Sequence, residues 1–348
     1  YCMAVVCLGY AEQNAYKIAT VIEAFEAQVD QGNIDYDSVD MEYFLAKLDV
    51  LDDEIDIHEA CIEAFEEKTS ASERKKLFDE FQNDFNAQVQ EDHPTRFTCG
   101  FVVHAGFVDG ALWEIERCVE KLGLRVLCLP THYLSDNGKW KGIFNEETEP
   151  ILALADKYNL AIEIHPYDGE KFILLENISW RFHLIWMLAQ CADAYHFYTL
   201  NGYQEKYPDI RVCFAHGGQL NQINLGRRIQ GFDGRPDLFK GKYHPRKAIG
   251  HPNIFFDTLV HDTFSLELMV KRQGKTDQIV MGLDDPYPLG EMESVPQSSY
   301  PGKLLDLAVK ENIITEQQHK EIWCDNVMRW LGEDISKKFE NHPANLIK

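Results

Sequence analysis

The segment IRVCFAHGG, residues 210–218, is a short apolar run that ends in a histidine and two glycines. Residues 160–166 (LAIEIHP) and 278–286 (QIVMGLDDP) have the same form, since each apolar run ends in a histidine or an aspartate near a turn-forming residue. Apolar runs of this length that are rich in β-branched residues are typical of buried strands. We therefore predict three strands, each of which ends in a residue able to bind a metal or transfer a proton.

Short apolar runs and longer helical patterns alternate from residue 97 onward, which is typical of βαβ units around a parallel sheet. Residues 3–8 resemble another buried strand, so seven of the eight strands of a closed barrel are visible. We predict an α/β fold of the (β/α)8 TIM-barrel type. The remaining strands are predicted at 97–103, 124–130 and 253–258, and the helices at 108–121, 146–158, 183–206, 220–231 and 262–272.

The first 96 residues are mostly helical by the same criteria, since 14–29 and 41–90 show the apolar spacing of amphipathic helices. We interpret this region as an insertion or as an incomplete first part of the barrel. The eighth strand is then hidden within it or lies upstream of Tyr1. We predict a single domain over residues 1–348, made of the helical region 1–96, the core βα units 97–332 and a C-terminal tail 333–348.

Charge and cysteine usage restrict the partners and the compartment. The chain has 34 Lys and Arg against 57 Asp and Glu, and its formal charge of −23 repels phosphate backbones and anionic membrane surfaces. We therefore predict no nucleic-acid and no membrane partner, in agreement with the absence of an apolar stretch of about 18 residues. The nine cysteines are scattered without a Cys-x-x-Cys pair, as expected for a reducing, cytoplasmic compartment.

The polar residues at the predicted strand ends are candidates for a metal site. All strands of a parallel barrel end at one face, so His165, His216 and Asp284 should converge there. Imidazole nitrogens and carboxylate oxygens bind Zn²⁺ and similar ions, and an unligated histidine transfers protons near neutral pH. Each residue also has a structural alternative: a histidine in the core, or for Asp284 a turn residue before Pro286, and Asp285 competes with it as a ligand.

Other polar residues are weaker candidates. His132 follows the strand 124–130 and is a second possibility for the barrel mouth, whereas Glu163 is predicted to lie outside the barrel. Gly217 and Gly218 permit close approach of a ligand to the backbone. Because the sequence contains no GxxxxGK[ST], no GxGxxG and no GxSxG, it does not support a nucleotide-binding protein or a serine hydrolase.

Five motifs together resemble the amidohydrolase-2 family over about residues 80–332. The resemblance implies a barrel with one divalent metal ion, expected to be Zn²⁺, held by His165 and Asp284, with His216 as the catalytic acid and base. It also implies that Arg227 of one subunit of a homodimer holds a substrate carboxylate in the other, a role that guanidinium geometry suits. Alternatively, Arg227 is a surface arginine beside Arg228. The motifs are IHP (164–166), VCFAHGG (212–218), RPD (235–237), DTLVHD (257–262) and GLDDPYPLGE (282–291).

One departure from the family leaves the function open. The first strand of the family carries a His-x-His pair of further metal ligands, and no His-x-His occurs in these 348 residues. Either that strand lies upstream of Tyr1, or metal binding is altered or lost. The leading hypothesis is a metal-dependent decarboxylase, a C–C lyase, of a small aromatic-derived or unsaturated carboxylic acid. The alternatives are a metal-dependent hydrolase of an amide, ester or lactone, and a metal-free barrel that serves as a binding or scaffold protein.

Overall fold

A computed structural model of the chain describes residues 4–6, 71–94, 96–135, 139–166, 178–284, 289–291 and 300–332. The predicted helix at 14–29, the first part of the one at 41–90 and the predicted tail 333–348 lie outside these residues, as does Asp285. None of the helices in the described part of the chain has both the length and the apolar character needed to cross a bilayer.

In the described part of the chain, seven strands form one parallel sheet, in which each strand lies beside the sheet strand that precedes it in the sequence. This order is that of a singly wound barrel, because each crossover brings the chain to the next position in the sheet. All seven predicted strands are present. The strands of the sheet are β1 (Ala4–Val6), β2 (Phe97–Val102), β3 (Val126–Pro130), β6 (Ala161–His165), β7 (Arg211–Phe214), β8 (Ile254–Asp257) and β9 (Ile279–Val280), while β4 (His132–Leu134) and β5 (Trp140–Gly142) form a separate antiparallel pair.

Among the described residues, the predicted helices are confirmed, with one change at 183–206. That pattern forms two helices, because Gly202 adopts a left-handed conformation with φ 83° and ends the hydrogen-bonded run. The α-helices are α1 (Ala71–Asp92), α2 (Val108–Glu120), α3 (Glu149–Lys157), α4 (Met187–Leu200), α5 (Tyr203–Lys206), α6 (Gln219–Gly234), α7 (Pro245–Ala248), α8 (Thr263–Gln273), α9 (Lys303–Lys310), α10 (Glu316–Lys320) and α11 (Asn326–Leu331). Shorter turns are 3-10 helices at Ile178–Trp180, His216–Gly218 and Pro236–Leu238, and π-helices at Phe182–Trp186 and Glu321–Asp325.

The sheet has two apolar faces, because successive side chains of a strand point in opposite directions. The outer face includes Ile162, Phe214 and Phe256, which pack with Tyr195 and Tyr198 of α4 in the larger core cluster. The inner face forms a second cluster with α11, comprising Val126, Cys128, Ala161, Cys213, Phe255, Val280, Val327, Trp330 and Leu331. Both layers are those expected of a barrel whose interior is filled by side chains.

Helix α11 closes one end of this interior. The guanidinium of Arg211, the first residue of β7, donates from Nε to the Trp330 carbonyl at 2.6 Å. In return, the Trp330 indole donates to the Arg211 carbonyl at 3.2 Å. Because the strands are parallel, these bonds place α11 at their amino-terminal ends and leave the carboxyl-terminal ends for the residues predicted to form the site.

Candidate active site

Three predicted site residues, His165, His216 and Asp284, lie together at the carboxyl ends of β6, β7 and β9, and their potential ligand atoms are all within 4.8 Å of one another. The Asp284 carboxylate lies between the two imidazoles, with Oδ1 3.8 Å from His165 Nε2 and Oδ2 3.9 Å from His216 Nε2. The two rings meet edge to face, with their centroids 4.9 Å apart. The predicted convergence is therefore present in the structure.

This group fits a divalent cation. Because a nitrogen or oxygen ligand lies about 2.0–2.2 Å from Zn²⁺, two ligands of one ion are at most about 4.4 Å apart. Both separations from Asp284 to a histidine are below this limit. Two imidazoles and one carboxylate are also a donor set that Zn²⁺ and Mn²⁺ accept. The Asp284 carboxylate can thus hold an ion together with either histidine.

Two of the three residues adopt an unusual backbone conformation. His216 and Asp284 have φ values of 57° and 52°, in the left-handed region that side chains with a Cβ rarely adopt. His216 is followed by Gly217 and Gly218, which are also left-handed. A Cβ on Gly217 would collide with the Val260 side chain, so this glycine is required by packing as well as by its conformation. Strain of this kind persists where surrounding contacts hold the backbone.

The contacts that hold His216 come from Asp257, the last residue of β8. Its Oδ2 accepts a hydrogen bond from the His216 backbone N–H at 2.9 Å, and its Oδ1 accepts from the N–H groups of Gly217 at 2.7 Å and Leu259 at 3.0 Å. Burial raises the pKa of Asp257 to about 6, although these hydrogen bonds act in the opposite direction. The sequence analysis placed Asp257 in the motif DTLVHD but did not name it as a site residue. Asp257 also ends an apolar run, but Thr258 and Leu259 follow it where a glycine or proline follows the other strand ends within two residues, so the rule that found His165 does not select it.

The pKa values of the two histidines of the group are shifted in opposite directions. Burial, reinforced by the neighbouring His165, lowers the pKa of the His216 imidazole to about 3. Desolvation also acts to lower the pKa of His165, but Asp284 and Glu163 together outweigh it, so that the pKa of His165 is raised. His216 is therefore a neutral imidazole at neutral pH, which is the form that accepts a proton or binds a metal.

Glu163 lies inside the barrel, and not outside it as predicted. The Cys128 thiol donates to Glu163 Oε2 at 3.5 Å, and Cys128 packs on the inner face with Ala161 and Cys213. The prediction was wrong because residues two apart in a strand share a face, so Glu163 and His165 both point inward. Glu163 thus belongs to the interior beside His165.

His132 does not join the group of three. This side chain is buried, and its Nε2 lies 3.2 Å from Asp193 Oδ2 while its Nδ1 lies 3.1 Å from Thr131 Oγ1. Both ring nitrogens therefore have hydrogen-bond partners, and the contact to Asp193 links β4 to α4. A structural role accounts for these contacts.

Arg227 lies away from the other three predicted residues. It is exposed on α6 and lines a cavity of about 400 Å³ between α4 and α6. Its neighbour Arg228 is packed inward, donating to the Ala192 carbonyl at 2.9 Å with its guanidinium 4.8 Å from the centre of the Tyr195 ring. The two adjacent arginines thus have different environments. The cavity is lined by Ala189, Ala192, Asp193, His196, Leu200, Asn224, Arg227, Arg228, Gly231 and Phe239.

A sequentially wound parallel barrel with two histidines and an aspartate at one mouth defines a class of barrel proteins built to hold a divalent cation. A family model described as Amidohydrolase matches residues 45–291, and the chain belongs to this amidohydrolase family. The family inferred from the motifs is therefore confirmed. The chain is 29% identical over 262 residues to a 2-amino-3-carboxymuconate-6-semialdehyde decarboxylase of Dictyostelium discoideum, covering 74% of this chain and 67% of that protein.

Solved structures share the fold. A 5-carboxyvanillate decarboxylase from Sphingomonas paucimobilis superposes with a TM-score of 0.61 at 19% identity, covering 74% of this chain and 73% of that one. A dihydroxybenzoic acid decarboxylase from Polaromonas, solved with bound manganese and an inhibitor, gives a TM-score of 0.59 at 19% identity, with 80% and 79% covered. These similarities confirm the (β/α)8-type barrel predicted from the alternation of strands and helices.

Proposed function

We propose that this protein is a metal-dependent decarboxylase that removes a carboxyl group from a small aromatic-derived or unsaturated carboxylic acid. The observation that carries the proposal is the convergence of His165, His216 and Asp284 at one end of the barrel. The relatives support the reaction, since the Dictyostelium protein and the two solved structures are named as decarboxylases of such acids.

In this proposal His165 and Asp284 bind the metal, through Nε2 and a carboxylate oxygen. A bound divalent cation supplies Lewis acidity, which stabilises negative charge on an oxygen. The raised pKa of free His165 reflects attraction to the Asp284 carboxylate. A ligating imidazole must be neutral, so His165 would bind the ion in its unprotonated form.

His216 is the proposed acid and base. Its burial keeps the imidazole neutral, so Nε2 can accept a proton and return it. In decarboxylation the bond between the carboxylate carbon and its neighbour breaks and leaves its electron pair on the neighbouring carbon. His216 first takes up a proton from a water molecule at the barrel mouth and then delivers it to this carbon, and the carboxylate leaves as CO₂, which the remaining hydroxide converts to bicarbonate. The same side chain thereby takes part before and after C–C cleavage.

Arg227 is proposed to bind a substrate carboxylate across the interface of a homodimer. In one copy of the chain it lines the cavity between α4 and α6, which contains none of the three residues at the barrel mouth. A dimer is therefore the simplest arrangement in which Arg227 of one copy lies at the barrel mouth of the other. Exposed apolar side chains on the same two helices, Phe197 and Ile223, favour such an interface.

The ion and the compartment are also part of the proposal. Zn²⁺ is the proposed metal because imidazole and carboxylate are among its preferred ligands, and Mn²⁺ is the ion to compare, since the Polaromonas enzyme binds manganese. A cytoplasmic location is supported by free thiols at the six described cysteines, which are Cys99, Cys118, Cys128, Cys191, Cys213 and Cys324.

A metal analysis combined with a substrate panel tests the proposal. The purified chain is loaded with Zn²⁺ or Mn²⁺, and CO₂ release is measured from 2-amino-3-carboxymuconate-6-semialdehyde, 5-carboxyvanillate and 2,6-dihydroxybenzoate. We expect about one ion per chain and CO₂ from at least one acid. Fewer than about 0.2 ions per chain would overturn metal dependence. Hydrolysis of amides, esters or lactones without CO₂ release from any acid would assign the hydrolase alternative instead.

A further inference from the structure

Strand β8 carries no predicted site residue, yet its end contacts the segments on both sides that do. On one side, the Asp257 carboxylate accepts the backbone N–H groups of His216 and Gly217. On the other side, the Thr258 hydroxyl oxygen accepts the Gly282 N–H at 3.2 Å, two residues before Asp284. Residues 257 and 258 thus join the His216 turn after β7 to the segment after β9.

We propose that Asp257 is a positioning residue that holds His216 in the conformation needed for proton transfer. This inference rests on the proposed function, because it assigns a purpose to the orientation of the His216 imidazole. Asp257 is not a member of the group of three whose potential ligand atoms converge. It therefore acts through the backbone of His216 and is not itself a catalytic residue.

The left-handed turn at His216 and Gly217 forms a site for the Asp257 carboxylate. Successive residues in this conformation, His216 at φ 57° and Gly217 at φ 60°, direct their N–H groups to one side and form a concave site for an anion. The Asp257 carboxylate occupies that site with a different oxygen for each N–H. It stabilises a backbone conformation that a histidine does not adopt readily.

Asp257 is itself held in place from two directions. Its Oδ1 also accepts the Leu259 N–H at 3.0 Å, which fixes the carboxylate over its own strand end. From the β9 side, a Cβ on Gly282 would lie only 2.6 Å from the Asp257 Cβ, so the backbone there packs directly against this side chain. The carboxylate is therefore a fixed support, and the position of the His216 imidazole follows from it.

The substitution Asp257→Asn separates the contact to His216 from the others. An amide retains one oxygen, which can still accept the N–H groups of Gly217 and Leu259. Its NH₂ group then faces the His216 N–H, and two donors in contact cannot form a hydrogen bond. Asp262→Asn is the matched control, because Asp262 also accepts a backbone N–H, that of Ser265 at 2.9 Å, but at the exposed start of α8.

For Asp257→Asn we expect kcat for CO₂ release to fall about 10- to 100-fold, since a displacement of about 1 Å can cost 10²-fold in rate. KM should change less than about threefold, and metal content and thermal midpoint should match those of Asp262→Asn. A kcat within about twofold of the wild type would overturn the inference. So would a fall in kcat that is matched by loss of metal and by a thermal midpoint far below that of the control, because the role would then be general stability.

Crystal structures of both variants give a readout that does not depend on turnover. In Asp257→Asn we expect His216 to leave the left-handed region and its Nε2 to move away from Asp284, beyond the 3.9 Å of the native protein. An unmoved His216 would overturn the inference. If the wild-type protein releases no CO₂ from any acid of the panel, the proposed function fails, while this structural comparison still decides the role of Asp257.

Discussion

The two ends of β7 use polar side chains for opposite purposes. At the amino-terminal end, the Arg211 guanidinium donates to the carbonyls of Trp330 at 2.6 Å and Asn159 at 2.8 Å, both at ordinary hydrogen-bond lengths. At the carboxyl-terminal end, the His216 imidazole faces the Asp284 carboxylate at 3.9 Å, which is too long for a hydrogen bond. The polar groups at the amino-terminal end are thus hydrogen-bonded within the protein. At the carboxyl-terminal end, an imidazole and a carboxylate can bind a ligand.

Contacts that stabilise the fold and groups that carry out chemistry are thus separated along a single strand. Contacts at the amino-terminal end connect β7 to α11 and so contribute to the free energy of folding. Those at the carboxyl-terminal end hold a left-handed backbone in place, at some cost to that free energy. Substitutions at the two ends should therefore have separable effects on stability and on turnover.

The largest effect is expected at the carboxyl-terminal end, for His216→Asn. Loss of a general acid and base lowers kcat about 10²- to 10⁴-fold. The bound metal and the thermal midpoint should be almost unchanged, because His216 is proposed to transfer protons and not to bind the ion. CO₂ release, metal analysis and thermal unfolding measure the three quantities. Simultaneous loss of metal and turnover would show instead that His216 is a ligand.

Asp284→Asn tests the metal site itself. Loss of the only carboxylate in the group of three should weaken Mn²⁺ binding by more than the roughly 10- to 100-fold typical of changes outside the ligand shell. Isothermal titration with Mn²⁺ measures the change in Kd, and Asp262→Asn serves as the control. An unchanged Kd would remove Asp284 from the ligands and would favour its neighbour in the sequence, Asp285.

Arg211→Ala should affect the opposite end of the strand. Removal of the guanidinium leaves the carbonyls of Trp330 and Asn159 without these donors, and we expect a loss of about 1–3 kcal/mol in the free energy of unfolding. Turnover per folded molecule should stay the same. Denaturant unfolding measures the loss, and Arg235→Ala is the matched control, because exposed Arg235 pairs with exposed Asp237. Equal stability of the two variants would contradict the division between the ends.

The smallest of the four effects is expected for Arg227→Ala. This arginine follows β7 on the exposed side of α6, so its loss should leave the thermal midpoint unchanged. If it binds a substrate carboxylate in a partner subunit, KM rises about tenfold, as expected for loss of one charged hydrogen bond. Steady-state kinetics measures KM, and sedimentation establishes the dimer. An unchanged KM together with a monomeric protein would show that Arg227 is a surface residue without a role in substrate binding.

The strands and the site could be predicted because both leave local signals. Apolar runs marked all seven strands, and the common end of parallel strands made His165, His216 and Asp284 neighbours despite their separation in the sequence. The break at Gly202 was missed because apolar periodicity continues across it, and one glycine within a helical pattern is not decisive.

Glu163 and Asp257 differ in what the sequence reveals about them. Glu163 was predicted to lie outside the barrel, although it is two residues before His165 in the same strand. Residues two apart in a strand point to the same face, so its position inside the barrel could have been predicted from the sequence. Asp257 is different, because its importance comes from three backbone N–H groups that meet only in the folded chain. The proposed role of Arg227 depends on a second copy, which no pattern within one chain describes.

The separation of the three residues along the chain has a thermodynamic consequence. His216 lies 51 residues after His165, and Asp284 lies a further 68 residues on, so an unfolded chain does not bring the three together. An ion that binds this group therefore binds the native state in preference to the unfolded one. By mass action it adds about 2.7 kcal/mol to the stability when its free concentration is about 100 times Kd. The supply of metal would then control both the folded fraction of this protein and its catalytic activity.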